Sequence, residues 1–446
     1  MPTEKKWLED VVIQYMEYII WIISDRKHSR SSRLLSLSFL TFPRPYIEPC
    51  DIMSSLSKTT SSKSDDDVVI VSALRTPLCR SRKGGLAKVP AATMMESVLK
   101  GVVDRTGVRD VEDLCVGNVL MPQNGAAAMR MAHIVAGLTA ETCSMSMVNR
   151  QCASGLQACA NIANRIQAGE ITVGIGAGVE SMSTNPMNKM KPPQVDYKAY
   201  WENQSAMDCL LPMGVTSDNV ARKYNLPRHV LDQFASESHR KAAQAQKSRK
   251  FEAEIIPTAG VSQDDGVRPQ TTPQILSKLK PVFSPQGPTT AGNASQTTDG
   301  AAAVLMMTRA EARRRGLPIL GVWRGFATAG VPPSLMGIGP AVAIPKVLDQ
   351  TNLTVSDIDV FEINEAFASQ AYYCIQELGI DQSKVNPNGG AIALGHPLGC
   401  TGARMVATLL NEMKRQRHAR YGIISMCIGT GMGAAAVLEV EPQSNL

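Results

Sequence analysis

The sequence predicts an α/β protein built from two similar halves, with a large region inserted between them. Three observations carry this expectation. From Val68 onwards, short continuous runs of β-branched and small apolar residues alternate with helix-like stretches, the pattern of strands buried on both faces. Two distant segments echo each other: Cys152 precedes a helix-like segment to Ala168 and then a strand, and His396 precedes one to Gln416 and then a strand. Between them, residues 182–298 are rich in Met, Pro, Asn and Gln, and large insertions of this kind commonly build the substrate site of an α/β frame.

Taken in order, residues 1–66 stand apart as an N-terminal extension and linker. Val11–Ser24 is apolar but interrupted by Gln14 and Glu17, and it is too short to cross a bilayer. Mixed charge precedes it, where a secretory signal would carry a basic stretch, so no integral membrane segment is expected. Arg26–Arg44 is rich in Arg, Ser and Leu and lacks acidic residues, a composition shared with transit peptides. Ser54–Asp67 is polar and aperiodic, which reads as a flexible linker. Met53 opens that linker, so the first 52 residues read as an optional extension.

The first half spans 67–181 with a return segment at 299–315, the insertion spans 182–298, and the second half spans 316–446. Strands are expected at Val68–Ala73, Leu114–Leu120, Ile171–Ala177, Ala301–Met307, Ile319–Val322, Val360–Ile363, Gly422–Met426 and Ala434–Val440. Helix-like stretches include Ala92–Thr106 and, inside the insertion, Arg228–Phe251.

The 446 residues are 44% hydrophobic and 19% charged, enough for two domains of ordinary size. A net charge of +6 without a dense Lys/Arg stripe argues against a nucleic-acid partner; a small anionic ligand accounts for it. The runs Arg313–Arg315 and Lys414–Arg420 fall near the ends of helix-like stretches, where cations complement the dipole. Ten cysteines with no CxxC pair and no His/Cys cluster at metal spacing exclude a zinc signature and a dense disulfide framework. A reducing compartment follows, and some of these cysteines are expected as small core residues.

Four segments carry chemistry. In Asn149-Arg-Gln-Cys-Ala-Ser-Gly155, Cys152 sits between an extended stretch and a helix rich in small residues. A thiol there meets the positive end of the helix dipole, so its pKa is expected to fall. In the segment Asn388–Arg404, His396 alone among six histidines is framed by glycine and proline in a loop before a helix. His28 falls in the extension, and His133, His229, His239 and His418 lie in or beside helical patterns. Ser425-Met-Cys-Ile-Gly-Thr-Gly-Met-Gly433 ends a strand at Cys427 and enters a glycine turn whose backbone N–H groups could form an oxyanion hole. Phe361-Glu-Ile-Asn-Glu-Ala-Phe-Ala368 runs from a strand end into a helix, with Asn364 where a capping residue would stand.

Together, Val148–Gly155, Asn364–Ala368, Gly395–Gly402 and Cys427–Gly433 resemble the signatures of the thiolase family, and the resemblance runs from about Asp67 to Val440. Asp208–Ser217 and Gly330–Pro340 look most like its peroxisomal 3-ketoacyl-CoA members. The resemblance implies a layered α-β-α-β-α core and CoA-dependent cleavage of a 3-ketoacyl-CoA to acetyl-CoA and a shortened acyl-CoA in fatty acid β-oxidation. It makes Cys152 the acylated nucleophile, His396 its base, and Cys427 the acid/base that protonates the enolate. His396 with a water on Asn364 would hold the enolate oxygen, and the Cys152 and Gly429 N–H groups the acyl oxygen. Arg268 in Asp265-Gly-Val-Arg-Pro269 would lie near the CoA phosphates, and Ser295 in Ala291-Gly-Asn-Ala-Ser295 near the pantetheine. Coenzyme A enters as substrate, no metal or permanently bound cofactor is implied, and a homodimer is expected.

The competing readings are an acetoacetyl-CoA thiolase, which shares all four segments, and a condensing enzyme of the same fold, which generally uses other residues than Cys427 and Asn364. A cysteine hydrolase would leave Cys427 without a role, and a non-catalytic scaffold would lack the nucleophile or the base. Ser444-Asn-Leu446 differs by one residue from the S-K-L peroxisomal address. Arg33-Leu34 begins an N-terminal address of the form R-L-x5-H/Q-L but is followed after five residues by Leu40-Thr41. The peroxisome is expected, with the mitochondrion as alternative.

Overall fold

A computed structural model describes residues 63–189, 195 and 197–441, without the side chains of 123, 124, 197 and 198. The segments Val11–Ser24, Arg26–Arg44 and Ser444–Leu446 lie outside the described residues. The strands are β1 Val68–Arg75, β2 Cys79–Arg80, β3 Asp113–Gly117, β4 Ser144–Val148, β5 Val173–Ser181, β6 Thr298–Thr308, β7 Gly321–Gly330, β8 Val360–Ile363, β9 Tyr421–Ile428 and β10 Met432–Glu439. The helices of ten or more residues are α1 Ala91–Thr106, α2 Ala126–Val135, α3 Ser154–Gln167, α4 Met213–Lys223, α5 Arg228–Lys247, α6 Gly339–Thr351, α7 Ala368–Glu377 and α8 Thr401–Arg415.

The strand order is β4-β3-β5-β6-β1-β7-β10-β9-β8, with β2 paired to β6. The path divides between β1 and β7, which touch only through Val69↔Val322 and Ile70↔Gly321. On either side the topology repeats. In the first half β4, β3 and β5 are parallel, and β6 and β1 follow antiparallel. In the second half β8 and β9 are parallel, β10 and β7 follow antiparallel, and Val385 bridges Phe361 in parallel where a third strand would stand.

Side-chain alternation explains why continuous apolar runs were needed. Along β6, Ala302, Val304 and Met306 face a central cluster with α3 and α8, while Ala303, Leu305 and Met307 face an outer cluster with α1. Along β10, Ala434, Ala436 and Leu438 join the same central cluster, and Ala435 and Val437 face an outer one with α6. Strands buried on both faces have no polar side to alternate. The layers are therefore α1 and α2, the first half-sheet, α3 and α8, the second half-sheet, and α6 and α7.

Several elements differ from the sequence expectation. The strand expected at Ile319–Val322 runs to Gly330, because β10 pairs along its length. Helices α4 and α6 had no counterpart in the sequence expectation, while β4, α2 and α7 were expected without bounds, as the extended stretch before Cys152, the helical pattern at His133 and the helix entered after Phe361–Ile363. β4 is short and half-exposed, so its apolar pattern is weak. Residues 63–67, expected as the end of a flexible linker, are tied to the body. Asp67 pairs with Arg309 at 2.8 Å and Arg324 at 3.2 Å, Asp65 with Arg313, and Lys63 with Glu441 at 2.8 Å. The basic run at 313–315 is engaged too, Arg314 by Glu311 and Arg315 by Glu311 and Asp110.

Candidate active site

Strand β4 delivers the chain into a tight turn at the start of α3. Asn149 Oδ1 accepts the Gln151 N–H at 2.9 Å, and Ser154 Oγ donates to Gln151 O at 2.6 Å while accepting the Arg150 N–H at 2.9 Å. These bonds hold Gln151 at φ +45°, a left-handed conformation costly for a residue with a side chain, and they set Cys152 just before the helix. Its thiol accepts the Gly429 N–H. The sequence expectation of a lowered pKa is corrected here. Burial pushes the thiol up to about 11, outweighing its hydrogen bonds with the Gly429 and Cys152 backbones.

His396 is fixed from three sides. Its N–H bonds Gln296 O at 3.0 Å, and Gln296 Nε2 in turn holds the loop through Gly266, Ile392 and Ala393 carbonyls. Its Nδ1 stands 2.7 Å from Thr401 Oγ1, which donates to Pro397 O at 2.9 Å. Thr401 therefore accepts, Nδ1 carries the proton, and Nε2 is left with its lone pair. Asn364 Nδ2 lies 3.3 Å from Nε2, and Asn364 Oδ1 has no partner among the described residues. Burial, with Arg404 nearby, lowers the imidazole pKa to about 3, so the ring is a neutral base. No hydrogen bond joins it to the Cys152 thiol among the described residues; catalytic bonds often tighten only around substrate.

The two segments meet because their helices touch through glycine. A Cβ on Gly155 would stand 2.6 Å from Gly399 O and 2.9 Å from Ala403 N, and one on Gly402 would stand 2.2 Å from Leu156 N. Only bare backbone allows α3 to approach α8 and the loop that carries His396 this closely. Cys427, buried at the end of β9, packs with Met336 and Ala366 against Met213 and Phe367. Burial and the neighbouring Cys152 raise its thiol well above the ordinary value. The turn after β9 has Thr430 at φ +67° and Gly431 at φ +87°, and a Cβ on Gly431 would meet Val331 O at 2.5 Å.

A pocket of about 240 Å³ opens beside this centre, lined among others by His239, Arg268, Thr271, Leu276, Ala294 and Gln296. Arg268 thus lies where a ligand can reach it. Ser295 sits between two lining residues without lining the pocket itself, its N–H bonded to Ala366 O at 3.0 Å. His239, unremarkable in the sequence, is also on the wall: its Nδ1 accepts the Arg268 N–H at 3.2 Å, and burial with Arg268 nearby lowers its pKa to about 4. Among the described residues no group of His, Cys, Asp and Glu could hold a metal ion, and no helix is long and apolar enough to cross a membrane.

Sequence reasoning missed the residues that hold the centre. Thr401 was visible five positions after His396 in a quoted segment. Gln296 and Glu180 had no local signal. Glu180, at the end of β5, accepts from Asn118 Nδ2, the Val119 and Leu120 N–H groups and the Gly399 N–H, all at 3.0–3.1 Å, which clips the first half to the His396 loop.

Two family models match the chain, the N-terminal domain of thiolase over residues 68–310 and its C-terminal domain over 317–440. The chain is 52% identical over 391 residues to the rat peroxisomal 3-ketoacyl-CoA thiolase B, covering 84% of this chain and 91% of the relative. The dimeric peroxisomal thiolase of Saccharomyces cerevisiae superposes with a TM-score of 0.81 at 46% identity, over 85% of this chain and 99% of that one. Human mitochondrial 3-ketoacyl-CoA thiolase in complex with CoA superposes at 0.76 with 34% identity, over 85% and 100%.

Proposed function

This chain belongs to the thiolase family, and from that premise we propose that it is a 3-ketoacyl-CoA thiolase of peroxisomal β-oxidation, cleaving its substrate with CoA. It is an acyltransferase. The observations that support the residue roles are that Cys152 neighbours Cys427 and the Gly429 N–H, that Asn364 stands beside His396, and that the start of α3 packs on the loop that carries His396 at Gly399.

The chemistry follows from the resting protonation states. Cys152 is a neutral thiol and His396 a neutral imidazole, so the proton passes to Nε2 as the sulfur attacks the 3-keto carbon. The C2–C3 bond breaks, its electron pair forming the acetyl-CoA enolate and leaving the shortened acyl group on Cys152. The enolate oxygen is held by His396 and by a water on Asn364 Oδ1. Cys427 protonates C2; a thiol held well above its ordinary pKa is the protonated form such a donor requires. The Cys427 thiolate then takes the proton of CoA-SH, whose sulfur attacks the acyl-enzyme. The Cys152 and Gly429 N–H groups stabilise that oxyanion, and His396 returns its proton to the departing Cys152. Arg268 and Ser295 serve the phosphate and pantetheine ends of CoA beside His239.

The second copy of a homodimer fits the open edge of β4, whose other edge pairs β3, together with the exposed Met131, Ile134 and Val135 of α2. An open edge strand next to apolar surface is otherwise a liability.

Mass spectrometry tests the reading. Brief exposure to a 3-ketoacyl-CoA without CoA should leave an acyl adduct on Cys152, and Cys152→Ala should abolish it. An adduct on Cys427, or none, would sink the assignment. Turnover of acetoacetyl-CoA but of no longer 3-ketoacyl-CoA would favour the acetoacetyl-CoA thiolase alternative.

A further inference from the structure

Behind the Asn364–His396 contact, a buried ion pair ties β8 to α8. Glu362 precedes Asn364 by two residues, and Arg404 follows Thr401, the partner of His396 Nδ1, by three. Both are 1% exposed, and Arg404 Nη1 stands 3.6 Å from Glu362 Oε2, too far for a direct hydrogen bond. Arg404 Nε and Nη1 and Glu362 Oε1 have no hydrogen-bond partner among the described residues. The same holds for Oε2 of Glu254, whose Oε1 accepts from Arg75 Nε at 2.6 Å and from Thr408 Oγ1 at 3.1 Å, one turn along α8 from Arg404.

Unpaired charged atoms at this depth are costly. Here they are complementary: two donors on Arg404, and one acceptor on each carboxylate. A buried water typically makes about three hydrogen bonds to otherwise unsatisfied groups of this kind. We propose that an internal water bridges Arg404 to Glu362 and Glu254, and that this brace sets the separation of Asn364 from His396. Arg404 and Glu362 are then positioning residues, acting through the two groups they anchor. The inference rests on the roles given above to Asn364 and His396.

The charge of Arg404 has a second consequence. It disfavours the imidazolium form of His396. The other charged groups around the brace are Glu254, Glu365 and Glu412, which face Glu362, and Arg75 and Glu180, which face Cys400 at the start of α8. Burial pushes the Glu362 carboxyl up to about 8 against the pull of Arg404. Removing the guanidinium therefore removes the cation that acts on His396 and, with it, the pull that lowers the Glu362 carboxyl.

The test compares Arg404→Lys with Arg404→Met in the full chain. A crystal structure should show a water within hydrogen-bond reach of Arg404 and of at least one of the two carboxylates. Arg404→Lys keeps the charge but loses the fork, so kcat should fall by roughly 10- to 100-fold with KM for the 3-ketoacyl-CoA little changed and the acid limb of the kcat/KM profile in place. Arg404→Met should lose similar kcat and also move that limb to higher pH. If either variant fails to fold, Glu362→Gln decides: it should lower kcat while leaving KM unchanged. Well-defined density without a water, or variants that lower thermal stability alone, would overturn the brace. A wild-type protein without CoA-dependent cleavage would refute the thiolase reading instead, and leave the water to be judged from density.

Discussion

The two halves use one frame for different purposes. Gly117 of β3 pairs with Gly178 of β5, and Ile363 of β8 pairs with Ser425 of β9. Counting on from those pairs, Asn118 occupies the position of Asn364, and Glu180 that of Cys427. In the second half these positions hold the amide beside His396 and the second thiol. In the first half they hold a buried Asn and Glu bonded to each other at 3.0 Å and clipped to Gly399. The connections diverge as well. Between β5 and β6 the chain inserts residues 182–297, which carry the ligand pocket, whereas β9 and β10 are joined by Gly429–Gly431 alone. A repeated frame thus supplies a brace on one side and chemistry on the other, and the frame alone does not decide which.

The largest effect should come from Cys427→Ala. Losing a positioned acid/base costs about 10²- to 10⁴-fold in rate, while Cys152 should still be alkylated by a thiol reagent. Near-normal thiolysis by the folded variant would make Cys427 a structural counterpart of Glu180 and favour a condensing enzyme. Next, Gly155→Ala tests the contact between the halves. Its Cβ would force α3 from α8, and a displacement near 1 Å costs about 10²-fold. Turnover within threefold of wild type would show that the helices need not touch so closely.

Arg268→Ala addresses the insertion alone: KM for CoA should rise about tenfold, a loss of about 1.4 kcal/mol, with kcat little changed. A fall in kcat at unchanged KM would remove Arg268 from the pocket's function. The smallest effect on chemistry should come from Glu180→Gln, because the side chain braces and does not react. Glutamine turns an NH2 group towards N–H donors that the second oxygen of Glu180 accepts, and stability at low pH should fall by about 1–3 kcal/mol, read from urea unfolding. The pH dependence has a definite sign. Burial raises the Glu180 pKa from 4.5 to about 7 in the folded protein, so its contribution is complete below 4.5 and is lost as pH rises through 7. Wild type should lose that increment over this window and the variant should not.

By itself the sequence determined the strands buried on both faces, the echo between Cys152 and His396, and the four segments that meet at the centre. Each of these is written in local composition: continuous apolar runs, or glycine and proline crowding one reactive residue. The sequence did not reveal helices α4 and α6, whose runs are broken by proline and polar residues, and it gave no bounds for β4, α2 and α7. It also misjudged the Cys152 thiol. A helix N-terminus can be read from neighbouring residues, but burial depends on how the distant parts of the chain pack around the sulfur, and that desolvation decided the direction of the shift. The same holds for Gln296, Glu180, Glu362 and Arg404. Their partners lie 30 to 219 residues away, so only the packed halves bring donor to acceptor and make these residues part of the site.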